Sequence, residues 1–83
     1  MARTVLLVED DKSIATVITE ALRDDGFEVT ACDTLARRDA LLDEQAFDVM
    51  LTDVILTDGD GLASIDAVRS RAPDMPVIVL SAQ

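Results

Sequence analysis

Two apolar segments of the chain, Val5-Leu6-Leu7-Val8 and Val49-Met50-Leu51-Thr52, run directly into acid: Glu9-Asp10-Asp11 after the first and Asp53 after the second. A continuous apolar run suits a strand covered on both faces, the kind found in parallel sheets flanked by helices. Carboxylates gathered at strand ends repel one another unless a proton or a cation compensates. If the two strands lie side by side, their ends form a cation site.

Length and charge set the outer limits. At 83 residues the chain is one domain, with a core that buries a little over ~60% of the unfolded surface. The formal net charge is -10, from 17 Asp and Glu against 7 Lys and Arg. Such a surface disfavours nucleic acid or an anionic membrane as a direct partner and favours cations and basic partners. Cys32 is the sole cysteine and has no intramolecular disulfide partner. Met1-Ala2-Arg3-Thr4 leads into an apolar run too short for a signal peptide or a membrane span, so the expected location is cytoplasmic.

The periodicity predicts alternating strands and helices. Thr4 to Val8 is a first strand. Ile14, Val17, Ile18, Ala21 and Leu22 recur at helical spacing, placing a first helix over about Lys12 to Asp25 with Gly26 past its end. Phe27 to Ala31 alternates as a half-exposed strand near a sheet edge does. Asp33 or Thr34 can cap a second helix carrying Leu35, Ala36, Ala40 and Leu42. Phe47 to Thr52 is a third strand, Thr57-Asp58-Gly59-Asp60-Gly61 a loop, and about Gly61 to Arg71 a third helix that Pro73 terminates. Pro76 to Ser81 is a fourth strand.

The order βαβαβαβ implies an α/β doubly wound parallel sheet. Strong apolarity in the first and third strands puts them in the centre, in the order 2-1-3-4. Ligands of such sheets bind beyond the carboxyl ends of the strands where the order reverses, here between the first and third. Glu9, Asp10 and Asp53 all fall at that point. Mg²⁺ binds through one or two carboxylates together with water and phosphate oxygens, which suits a small acidic cleft. Asp10 and Asp53 are the candidate direct ligands, with Glu9 acting through water. An Asp carboxylate can also attack phosphorus to form an aspartyl phosphate. Asp53, alone at a strand end before an open loop, is the better placed for that role.

Taken together, Val5-Leu6-Leu7-Val8-Glu9-Asp10-Asp11, Asp48-Val49-Met50-Leu51-Thr52-Asp53, Asp60-Gly61-Leu62 and Pro76-Val77-Ile78-Val79-Leu80-Ser81-Ala82 resemble the receiver domain of two-component response regulators. The resemblance runs from end to end of the chain. It implies a flavodoxin-like fold and a phosphorelay function, with Asp53 accepting a phosphoryl group from a sensor histidine kinase and controlling an output domain. It also implies that Glu9 and Asp10 hold Mg²⁺, that the backbone carbonyl of Ile55 completes the metal site, and that Ser81 is the hydroxyl that senses the phosphoryl group. Ala82 matches the small residue that leaves access to the site. The final strand is similar to receivers of the nitrogen-regulation type, which implies a transcriptional output. Two departures stand out: Thr57 occupies a position where the family usually has Pro, and residues 1–83 match a partial receiver. The fifth strand, its Lys and aromatic switch residue, and the last helices have no counterpart in the sequence. The expectation is therefore a fourth strand left as an exposed edge that self-associates.

Other classes fit less well. A Mg²⁺-dependent phosphohydrolase working through an aspartyl phosphate would want a second acid two residues beyond Asp53, where Ile55 stands. A nucleotide or flavin binder would want glycines where Glu9-Asp10-Asp11-Lys12 lies. A dimerisation module that is not phosphorylated remains an alternative on the same fold. Among the other charged residues, Asp11 reads as a helix cap, Asp58 and Asp60 as turn formers, and Arg37 and Arg38 as solvated helix charges. Cys32 reads as a small apolar residue without thiolate character.

Overall fold

The structure, a computed structural model, describes residues 2–56, 58–61 and 63–80. Its elements run β1 (Thr4–Val8), α1 (Lys12–Asp24), β2 (Glu28–Cys32), α2 (Leu35–Glu44), β3 (Val49–Asp53), β4 (Ile55–Leu56), β5 (Gly59–Asp60), α3 (Ile65–Arg71) and β6 (Val77–Leu80). Four of the strands form one parallel sheet in the order β2-β1-β3-β6, which is the expected 2-1-3-4 arrangement. β4 and β5 form a separate antiparallel ladder within the loop after β3, which the sequence did not announce.

The continuous apolar run of β1 serves two cores at once. Successive strand residues point to opposite faces, so Leu6 and Val8 pack with Met50, Leu41 and Leu42 of α2 and Val68 of α3. Val5 and Leu7 enter the other core, with Val29 and with Ala15, Ile18 and Leu22 of α1. The doubly wound arrangement follows, α1 covering one face and α2 with α3 the other. β2 and β6 are the sheet edges, and Ile78 and Val79 of β6 are 53% and 43% exposed.

The register of the two central strands is fixed at the end opposite the acids. Thr4 donates from its backbone N–H and its hydroxyl to Asp48 Oδ2, at 2.7 and 3.3 Å, and the Asp48 N–H donates back to the Thr4 carbonyl at 2.9 Å. Pairing then runs from Val5 opposite Val49 to Val8 opposite Thr52. A slip by one residue would exchange the two cores.

Helix ends explain where boundaries differ from expectation. α1 is capped by Asp11, whose Oδ1 accepts from the N–H groups of Ser13 and Ile14 at 2.9 and 3.1 Å, as the sequence suggests. It closes at Gly26, which has φ of 92°, while the Phe27 N–H donates to the Leu22 carbonyl. The third helix starts at Ile65 rather than Gly61. Asp60 holds the intervening turn by accepting from the Ala63 N–H at 2.9 Å. Asp60 is thus the turn former expected of it; Asp58 is not confined to its turn. Its carboxylate caps α2 from a distance, accepting from Leu35 and Ala36 N–H at 2.7 and 3.1 Å. Thr34 Oγ1 takes the next amide, that of Arg37, at 3.1 Å.

Arg38 also departs from expectation. Read as a solvated charge, it is 1% exposed, lying where α2 meets α3. Asp39 supplies its counter-charge, Nη2 standing 2.8 Å from Oδ1, and Nη1 donates to Ser64 Oγ at 2.9 Å. A buried guanidinium needs such partners because desolvation of an unpaired charge is prohibitive. Arg37 keeps the expected role, exposed and loosely paired with Glu44 at 3.8 Å.

Candidate metal centre

β1 and β3 end side by side, so Glu9 and Asp53 emerge together at the carboxyl edge of the sheet, with Asp10 beside them. One ligand oxygen from each of the three carboxylates lies within 4.8 Å of the others. The three acids predicted from sequence are thus brought together at the point where the strand order reverses.

Their environments differ. Glu9 is 6% exposed, Asp53 is half-buried and Asp10 is exposed. The Glu9 N–H continues the sheet by donating to the Cys32 carbonyl at 3.0 Å, and Glu9 Oε2 accepts the Asp11 N–H at 3.1 Å. Burial pushes the Glu9 carboxyl above its ordinary value of 4.5, opposed by that Asp11 amide and reinforced by the charge and hydrogen bonding of Asp53 and by Asp10. An all-carboxylate set of this kind fits a hard divalent cation such as Mg²⁺ or Ca²⁺ and does not suit a soft one.

Asp53 is oriented by its own strand end. The Val54 N–H donates to Asp53 Oδ1 at 2.8 Å, and the Thr52 hydroxyl donates to the Asp53 carbonyl at 2.9 Å. The loop then folds back: the Gly61 N–H donates to the Val54 carbonyl at 2.6 Å. Ile55, the expected carbonyl donor, lies in β4 opposite Asp60 of β5. Ser81, Ala82 and Thr57 fall outside the described residues, so the expected sensing hydroxyl, access residue and Pro-replacing residue are not placed. Sequence reading took Asp58 for a turn former and Arg38 for a solvated charge and passed over Ser64, because the contacts of Asp58 with Leu35 and Ala36 and of Arg38 with Ser64 join residues distant in the chain.

Comparison with known proteins agrees with this geometry. The model of the response regulator receiver domain matches residues 5–83. The DNA-binding transcriptional regulator NtrC of Azospirillum brasilense is 35% identical over 82 residues, which are 99% of this chain and 17% of that protein. The chain therefore spans less than a fifth of that relative. Among solved structures, the receiver domain of the sensor histidine kinase PA1611 from Pseudomonas aeruginosa PAO1 is 29% identical with a TM-score of 0.92, covering 100% of this chain and 70% of that one. It was solved with a magnesium ion coordinated in its active site cleft. The beryllofluoride-activated NtrC4 receiver domain dimer is 34% identical with a TM-score of 0.87, covering 92% and 63%. Among the described residues no helix is long and apolar enough to cross a membrane. With a parallel 2-1-3-4 sheet ending in three convergent acids, and the family match extending along nearly its whole length, the chain belongs to the response regulator receiver domain family.

Proposed function

We propose that the chain is a Mg²⁺-dependent phosphorelay receiver in which Asp53 accepts a phosphoryl group from a phosphohistidine of a sensor histidine kinase. The observation that carries this reading is the convergence of Glu9, Asp10 and Asp53 within 4.8 Å at the carboxyl ends of β1 and β3. Glu9, Asp10, Asp53 and the Ile55 carbonyl would hold the cation. When bound, it neutralises charge on the phosphoryl oxygens that the acids would otherwise repel.

Asp53 is the nucleophile. With Oδ1 held by the Val54 N–H, a carboxylate oxygen attacks phosphorus; the new P–O bond forms as the P–N bond to the imidazole breaks. The imidazole nitrogen leaves with the electron pair and takes a proton from solvent. Ser81 is the hydroxyl that senses the phosphoryl group, and the product is a signalling state rather than a released metabolite. A phosphohydrolase is disfavoured because Ile55 offers no acid to activate water. Likeness to NtrC supports a transcriptional output domain as the recipient of the signal.

The test is incubation of the protein carrying this sequence with Mg²⁺ and acetyl phosphate or phosphorylated kinase, followed by mass analysis. A base-labile phosphoryl adduct is expected, lost in Asp53→Asn and prevented by a chelator. An adduct that survives Asp53→Asn, or none from either donor, overturns the assignment.

Self-association through β6 is a compatible second reading, favoured by Ile78 and Val79 standing exposed on an edge strand. The NtrC4 dimer supports association as a capacity of this fold. Sedimentation at micromolar concentration should show a dimer that Ile78→Lys dissociates; a wild-type monomer refutes it.

A further inference from the structure

We propose that Arg38 is a positioning residue for Asp53, acting through Ser64 and the loop between β3 and α3. This rests on the reading of Asp53 as the phosphoacceptor.

The connection is a series of hydrogen bonds joined through the backbone at Asp60–Gly61 and at Val54. Arg38 Nη1 donates to Ser64 Oγ at 2.9 Å, and the Ser64 hydroxyl in turn donates to the Asp60 carbonyl at 2.9 Å. Asp60 is paired with Ile55 across the β4-β5 ladder. Gly61, next in the chain, donates its N–H to the Val54 carbonyl at 2.6 Å. The same residue, through the preceding peptide, presents the Val54 N–H to Asp53 Oδ1 at 2.8 Å. One end of the series is therefore a buried cation on α2, and the other is the carboxylate that would react.

The chemistry of Arg38 argues that this contact is more than packing. An apolar side chain of similar volume would fill the α2–α3 contact and avoid the desolvation of a guanidinium. Asp39 occupies Nε and Nη2 of the fork. Nη1 remains, and among the described residues the hydrogen bond it sends outside its own helix goes to Ser64. Ser64 holds the Asp60 carbonyl with its backbone N–H as well, at 3.2 Å, and its side chain, which precedes α3, makes no capping hydrogen bond to that helix. Asp58 fastens the same loop to α2 at a second point, through the Leu35 and Ala36 amides. The loop that carries the Ile55 carbonyl is thus set against α2 rather than left to solvent. A group that orients a ligand-bearing segment is felt as ligand affinity, as outer-shell partners of metal sites generally are.

The experiment compares the wild type with Arg38→Met, Arg38→Lys and Ser64→Ala. Mg²⁺ affinity, the rate of phosphorylation by acetyl phosphate, hydrogen exchange at the Val54 and Gly61 amides and the urea midpoint are measured for each. Arg38→Met and Ser64→Ala are expected to weaken Mg²⁺ binding about tenfold and speed exchange at both amides. Their urea midpoints should fall little. The double variant should be no worse than either single one, because both break the same series. Arg38→Lys, which keeps one donor for Ser64, should fall between. Wild-type Mg²⁺ affinity and wild-type exchange in a folded Ser64→Ala overturn the proposal, even where Arg38→Met fails to fold. Failure of the phosphoacceptor reading shows itself separately, as a wild type that gives no adduct.

Discussion

Gly61 approaches Asp53 so closely that a Cβ on the glycine would stand 2.5 Å from the Asp53 carbonyl oxygen and 3.0 Å from Thr52 Oγ1. The obstacle is backbone, which cannot swing aside as the end of a side chain can. Gly61→Ala must therefore push the loop off β3. A loss of about 1–3 kcal/mol in urea unfolding is expected, as for other overpacked sites. Mg²⁺ binding should weaken with it. Gly26→Ala is the control: nothing lies within 4 Å of the added methyl, and only its φ of 92° is costly, so stability should fall while Mg²⁺ affinity holds. Equal Mg²⁺ affinity in Gly61→Ala and the wild type would contradict the close approach.

Mg²⁺ should stabilise the protein against unfolding. At a concentration a hundred times its Kd the expected gain is about 2.7 kcal/mol. Glu9→Gln removes a buried charge that burial and Asp53 both oppose, so without metal the variant should be at least as stable as the wild type. With Mg²⁺ the order should reverse, because the wild type alone keeps the full donor set. Thermal melts of both proteins with and without metal read both effects, and parallel gains would count against Glu9 as a ligand.

Asp58 gives the fold a defined acid sensitivity. The Leu35 amide, followed by that of Ala36, holds its carboxyl below the usual 3.8, with partial desolvation opposing. A carboxylate whose folded value is depressed contributes stability above its unfolded pKa and loses it as pH falls through the folded value. Asp58→Ala should thus lower the urea midpoint at neutral pH and converge with the wild type in strong acid. A constant difference across that range would show that Asp58 does not act as a charged cap.

Cys32 should be chemically quiet while the protein is folded. Burial, with the charge of Asp33 adding to it, pushes its thiol up to about 11, and the thiolate is the reactive form. Alkylation by iodoacetamide at neutral pH should follow the rate of opening, and Mg²⁺ should slow it by favouring the closed protein. Labelling as fast as a free thiol would contradict the buried position.

What the sequence reveals depends on the range of the interaction. β1 and β3 are legible because each residue reports its own burial, and Asp11 as a cap because its acceptors lie within one turn. Their convergence with Glu9, Asp10 and Asp53 follows from strand order. The start of α3 is less legible: Leu62, Ile65, Val68 and Ala72 keep helical spacing, but Asp60 holds residues before Ile65 in a turn. Arg38 and Asp58 mislead for a different reason. A charged residue amid Arg37, Arg38 and Asp39, or among glycines, looks solvated unless its partner is known. Here the partners are Ser64 and the first amides of α2, and only the folded chain brings them near.

The clasp between Thr4 and Asp48 works as a ruler. The same number of residues separates Thr4 from Glu9 as separates Asp48 from Asp53, so zeroing the two strands against each other at one edge brings the two acids level at the other. A deletion within either strand would misalign the cluster of acids without touching an acid. The tolerance of the chemistry is thus set by counting, at the edge of the sheet where no chemistry takes place.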